Sequence, residues 1–388
     1  MVPAPRSARR PRSTRRRALT IAPIAAALVA VLAQPALAAG SIASWGGNTY
    51  GQLGDGTFTG HGSATAIASL TGMVSLHGGR DHVAALKSDG TVWTWGRNQY
   101  GQIGDGTGMN RPNPTLVTGL TGVIAVETGH YNTMALKSDG TVWMWGWNKY
   151  GTNGDGTTTK RTRPVLVKNL TNVVAIAGGR DQMLAVKSDG TVWAWGYNAF
   201  GNLGDGTFTT RTTPVQVSGL TGAIDVAGGR DHSLVLKSDG TVWCFGYNVH
   251  GECGVGNTSN KNLPVQVSGL TGVTAITAGA NHSVALKSDG TVWTWGQGSN
   301  GRLGNNSTAN RLTPVQVSNL TGVVAIGTGR MHTLAAKSDG TVWAWGFNAT
   351  GQLGNGNTTN QKVPVLVQGL TGATMFGGGR DHSVALVP

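Results

Sequence analysis

Cysteine is almost absent from this chain: Cys244 and Cys253 are the only two in 388 residues. Two thiolates without an ordered pair of histidines do not make a structural zinc site. No segment after the first 39 residues carries a helical hydrophobic period, so the body of the chain is read as all-β. The GxSxG, HExxH, P-loop and paired-cysteine motifs are missing, and with them the usual local signatures of serine, zinc and phosphate chemistry. The GDG loops at Asp55, Asp105, Asp155 and Asp205 lack the spaced ligands and closing glutamate of an EF-hand. No metal, cofactor or catalytic residue is expected.

What the chain does have is repetition. The string KSDGTVW occurs six times, starting at Lys87, Lys137, Lys187, Lys237, Lys287 and Lys337, with a spacing of 50 and no slip of register. Such a period marks a solenoid or a propeller. Each unit holds four short β signals, exemplified by Val173–Ala177, His232–Leu236, Thr191–Trp195 and Pro214–Val217. Lys-Ser-Asp-Gly between the second and third is a tight hairpin, with Asp-Gly supplying the positive φ. The proline of the fourth suits an outer edge strand, opening it. Four antiparallel strands make one propeller blade. In the third strand Trp193 and Trp195 share a face and Ala194 points away, so a bulky face can stack on a small one in the next blade.

The ends are half-units. Ser41–Thr57 matches the second half of a repeat and the chain stops after the first half of another. Residues 41–388 span close to seven periods. The predicted fold is therefore a seven-bladed ring. Strands one and two of its last blade come from Gly372–Val387, and three and four from Ile42–Leu70. Eight blades or an open solenoid are the alternatives, the second lacking the polar caps it would need.

The recurring GGRDHSVALKSDGTVWxWGxNxxGQLGDG pattern resembles the RCC1 (regulator of chromosome condensation) repeat family across 41–388. The resemblance implies a seven-bladed propeller and, from the nuclear members, guanine-nucleotide exchange on a GTPase or chromatin binding. Those exchange factors carry a wedge-like insertion, and no repeat here departs from its period to hold one. A more distant likeness to a secreted β-lactamase inhibitor protein implies that such a propeller can act as an extracellular inhibitor.

Residues 1–17 hold seven arginines and no acid, and an apolar, small-residue run follows to Ala-Leu-Ala at 36–38. This reads as a signal peptide spanning residues 1–39, with cleavage near Ala38 or Ala39 and a weak twin-arginine likeness around Arg15-Arg16-Arg17. A basic nucleic-acid tail and an uncleaved anchor are the competing readings. The formal charge is +13; without that segment 23 basic residues face 17 acidic ones, net +6, too little to argue for nucleic acid. Secretion or the cell envelope is the expected location, with no lasting membrane insertion, and the protein is expected to be a monomer. In that setting Cys244 and Cys253, in one repeat, suggest a disulfide from strand three to its following loop; two separate buried thiols are the alternative.

The strand one–two turn and the strand three–four loop emerge on one side of the disk, the loop face, which takes a net charge of about +7 from sixteen basic and nine acidic residues. Near the axis are Arg80, Arg180, Arg230, Arg330 and Arg380, read as pairing with the aspartate beside them across blades or satisfying turn backbone. Farther out are Arg111, Arg161, Arg211, Lys261 and Arg311, less clearly satisfied and so better placed to meet an anionic partner. Repeat two breaks the GGRDH pattern with His130, Tyr131 and Asn132, and carries Glu127 where the first has His77. Tyr131, Trp147, Tyr150, Tyr100, Tyr50, Tyr197, Phe200 and Tyr247 put aromatics on this face, about half of them expected to be partly exposed. The contact surface is expected around blades one to four and its occupant to be a protein. The residues in the histidine position (His82, Asn132, Gln182, His232, His282, His332, His382) are expected to hold the turn. A glycan-active enzyme in the channel mouth would need Glu127 with Asp225.

Overall fold

The computed structural model describes residues 40–387; the expected signal peptide lies outside the described residues. Seven four-stranded antiparallel sheets form a ring. Blade 1 is Met73–Gly78, His82–Lys87, Val92–Gly96 and Arg111–Leu116, and blades 2 to 5 repeat it at intervals of 50. Blade 6 runs from Val323 and ends in a longer outer strand, Gln361–Thr371. Blade 7 is composite: Met375–Gly378 and His382–Val387 pair with Ser41–Gly46 and then His61–Ala66. Ser41 lies opposite Val387 and Gly46 opposite His382. The predicted seven blades and their closure by the two half-repeats are both present.

The KSDGTVW string is a self-contained bonding unit. Gly90 takes φ +81, where a side chain would be strained. Asp89 accepts from the Thr91 amide at 3.0 Å and hydroxyl at 2.6 Å. Thr91 Oγ1 in turn accepts the Trp93 indole N–H at 3.2 Å, and Lys87 reaches Asp89 at 3.4 Å. Pro214 does not open its strand, as the sequence suggested. It falls inside Arg211–Gln216, between the pairs Gly196↔Arg211 and Ala194↔Val215, where the register shifts. A bulge on an outer edge asks no ladder bond of a proline.

Blades stack bulky face on small face. Trp195, with Met183 and Ala185 beside it, packs on Met134, Leu136, Val142 and Met144 of blade 2. Ala194, on the opposite face, meets Val226, Val235 and Phe245 of blade 4. The Trp195 indole also donates to Thr152 O at 2.9 Å. It lies over Gly154, where an added Cβ would come within 2.9 Å of its Nε1. Six such tryptophans are fully buried, one per seam except where Phe245 stands in. A buried tryptophan contributes on the order of 4 kcal/mol by area, so these seams dominate the stability of the disk. Trp45 makes the same contact across the closure, donating to Gln352 O at 2.9 Å.

Candidate functional site

The strand one–two turns gather around the axis on the loop face. Their backbones link blade to blade: Arg80 N donates to His130 O, His130 N to Gly179 O and Arg180 N to Gly229 O. Arg230 N donates to Ala280 O, Ala280 N to Arg330 O and Arg330 N to Gly379 O. Arg380 N, donating to Arg80 O at 2.8 Å, closes the circle. This belt fixes where the inner arginine side chains start.

Four of those five arginines pair with the adjacent aspartate, and of these only Arg180 also pairs across blades, the arrangement expected from the sequence for all of them. Arg80 reaches Asp81 at 3.5 Å, Arg230 reaches Asp231 at 3.2 Å, and Arg380 pairs with Asp381. Arg180 bridges two blades, at 3.0 Å from Asp181 and 2.9 Å from Asp231. The fifth, Arg330, is followed by Met331 and has no carboxylate within 4 Å among the described residues. His130 takes the arginine position of blade 2. Burial first, and then Arg80, Arg330, Arg180 and Arg230, hold its imidazole well below the usual range, so it is neutral.

Beyond this mouth runs a shelf of rings. Arg97, paired with Asp81 at 3.0 Å, sits over Tyr50 and Tyr131, 4.6 and 5.4 Å from the centroids. Tyr100 meets Tyr131 at 4.9 Å and Trp147 at 4.4 Å. Tyr150 meets Tyr197, Phe200 meets both Tyr197 and Tyr247, and His250 ends the run. All eight aromatic residues named from the sequence are partly exposed, rather than half of them.

The outer circle differs from the expectation. Arg111, Arg161 and Arg211 are satisfied by the aspartate of their own GDG loop, at 2.6, 2.6 and 3.0 Å. The loop folds back on itself because the Asn98 side chain bonds both arms of it, reaching Asp105 at 3.1 Å and accepting from Ile103 N at 2.9 Å. Lys261 and Arg311 face Val255 and Asn305 at the aspartate position and make no ion pair among the described residues. Those GDG carboxylates are thus engaged by arginine, threonine and asparagine, and among the described residues no cluster of His, Cys, Asp and Glu is arranged to hold a metal.

The pattern of blades and belt agrees with the comparisons. An RCC1-like domain model matches residues 122–385. Regulator of chromosome condensation (RCC1) repeat models match 89–136 and 74–102. This chain belongs to the RCC1-like family. Among solved structures, Prp20p from Saccharomyces cerevisiae, described with its binding properties to Gsp1p and histones, is 22% identical with a TM-score of 0.81, over 91% of this chain and 92% of that one. Human WBSCR16 is 23% identical with a TM-score of 0.81, over 90% and 98%. Yeast RCC1 (Prp20) bound to Kap60 is 22% identical with a TM-score of 0.80, over 90% and 89%. At that identity the likeness establishes the fold. No curated protein sequence matches the chain.

In this RCC1-like ring the axial channel, a cavity of about 220 Å³, holds the remaining off-pattern groups. His77 lies 3.1 Å from Glu127 and 2.7 Å from Thr128 Oγ1. Burial, then the Asp225 charge, raises Glu127 well above the carboxylate range, and burial lifts Asp225 to about 7. Glu127 and Asp225, the pair a channel-mouth enzyme would need, thus share one lumen, although their blades are not neighbours.

The histidine-position residues do more than hold a turn. His82 tucks under Gly79, and its Nε2 crosses to Thr133 Oγ1 of the next blade at 3.1 Å. His232, His282 and His332 repeat this with Ser283, Thr333 and Ser383. Cys244 and Cys253 are joined as expected, with Cα atoms 5.2 Å apart. Sequence reading missed three exposed apolar side chains on the loop tips, Phe58, Met109 and Phe208. Their signal was there: each departs from its neighbours within a polar loop. It also missed buried Arg302, which stands where other repeats have Gln, Thr, Asn or Glu.

Proposed function

We propose that this chain is an exported, non-enzymatic RCC1-like propeller that binds a protein partner through its loop face, as a scaffold or an inhibitor. One observation carries the reading. Two groups of partly exposed rings, Tyr50 joined through Arg97 to Tyr131, Tyr100 and Trp147, and then Tyr150 through Tyr197, Phe200 and Tyr247 to His250, span the closing blade and blades 1 to 4 on one face. Aromatic anchors flanked by arginine favour protein recognition, since they bury large area at little conformational cost. His130, Tyr131, Tyr100, Trp147 and Tyr150 form the centre of the surface, and Lys261 and Arg311 remain as peripheral cations that steer association. The paired Arg111, Arg161 and Arg211 would first have to give up their aspartates. Export rests on the sequence of residues 1–39.

Crosslinking in culture medium, with protein whose N-terminus starts at Ala39 or Gly40, tests both parts. A specific partner captured by the parent and lost in Trp147→Ala with Tyr150→Ala supports the reading. Intact, uncleaved chain recovered from the cytoplasm with a GTPase would overturn it and favour nucleotide exchange.

A further inference from the structure

A cavity of about 390 Å³ opens between the mouth and the aromatic shelf. Arg80, Arg180, Arg230, Arg330, His130 and Lys149 line it with Asp181. Arg80, Arg180 and Arg230 keep their pairs with Asp81, Asp181 and Asp231, which leaves Arg330 and Lys149 as the cations without an ion pair among the described residues. Tyr131, Trp147 and Tyr150 close its outer side. The positive charge here is not balanced at Arg330, where Met331 replaces the usual aspartate. Behind it Arg302, 3% exposed, is tied to the Ser299 carbonyl and hydroxyl, each at 3.0 Å. Burial, and then Arg80, Arg230 and Arg380, lower the Arg330 guanidinium from its ordinary value. Half-buried cations crowded in this way are relieved by an anion that several guanidinium forks can share. The backbone belt already holds their Cα atoms in place, so binding orders little that is not already ordered.

We propose that this mouth is a receptor for a compact, multiply charged oxyanion, with Arg330 as its principal ligand and Arg80, Arg180, Arg230 and His130 around it. The oxyanion chemistry is common to phosphoryl groups and to clustered carboxylates. The site shares His130, Tyr131, Trp147 and Tyr150 with the proposed protein-binding surface, but small ions alone test it, without any protein partner.

Titration calorimetry in low-salt buffer would use tripolyphosphate in one arm and citrate in the other. Saturable one-to-one binding in either arm is expected, and the arm that binds more tightly names the source. Arg330→Gln should weaken it about tenfold or more, the loss of a charge-assisted contact. Met331→Asp, which restores the acid found in other blades, should weaken it as well while leaving every arginine in place. Lys160→Gln removes an exposed charge from a loop tip of the same face and should leave the affinity unchanged. Lack of saturation in both arms at millimolar ion, or equal weakening by Lys160→Gln, would overturn the proposal.

Discussion

At the scale of single residues four of the seven seams between blades share one exchange. A histidine of one blade meets a hydroxyl of the next, and that hydroxyl donates onward to a loop carbonyl, as Ser383 does to Gln352 O at 2.8 Å. Asn132 and Gln182 replace the histidine at two further seams and bond to their surroundings, and at the seventh the histidine is present but its partner is not. His382 faces Val83 where five of the other blades carry serine or threonine, and both of its ring nitrogens are buried without a partner. An unmet polar group of this kind costs about 1–3 kcal/mol. Val83→Thr should therefore stabilise the protein, since its hydroxyl can serve His382 and donate to Gln52 O, as Thr133 donates to Gln102 O. A rise in melting temperature of about 1 °C or more is expected for a chain of this length; a fall would show that the valine methyl outweighs the bond.

At the scale of elements those histidines give the seams a pH dependence. Burial is the first cause that lowers His82, His232, His332 and His382, each to about 3, from an ordinary 6.5. The unfolded chain takes up protons below 6.5 and the folded chain does not until near 3. The stability these groups allow is thus complete above 6.5 and drains away as pH falls toward 3, by about 1.4 kcal/mol per pH unit for each. The buried carboxyls act in the opposite sense, Asp225 raised to about 7 and Glu127, Asp181, Asp231 and Glu252 raised as well. These five are outnumbered by the seven lowered histidines, His77, His130 and His282 being lowered with the four. Melting temperature should drop steeply from pH 6.5 to 4.5, and less steeply in His232→Gln, a residue the third blade already uses at Gln182. A flat profile in the parent would contradict the seam assignment. None of this was legible from the sequence, because each histidine's partner lies 51 residues away on another blade. The strands, the Asp-Gly hairpins and the alternation of tryptophan with small residues were legible, because each is a local pattern of two to seven residues. Likewise the arginine–aspartate pairs adjacent in sequence could be read, while Arg111 with Asp105 could not, since that pair depends on how a loop folds back.

At the scale of the whole molecule one blade is built from both ends of the ring. Ser41–Gly46 pairs along its full length with His382–Val387, and Trp45 seals the seam toward Gln352. Removing Ser41–Thr57 should cost the disk its cooperativity: a lower and broader melting transition than the parent, followed by differential scanning calorimetry. A deletion variant as heat-resistant as the parent would mean that the ring does not depend on its latch. The repeat period and the half-units made this closure readable, whereas the belt of backbone bonds at the mouth was not, because seven turns must meet before it exists.

That latch also sets a clock on synthesis. A strand made early must wait, edge bare and tryptophan uncovered, for its partner more than 300 residues later. A ribosome that stops short leaves six good blades and one sticky, protease-accessible ribbon, so a truncated product advertises its own incompleteness. A nested series of C-terminal truncations, probed by limited proteolysis at the Trp45 segment, should show protection arriving in a single step as His382–Val387 is added.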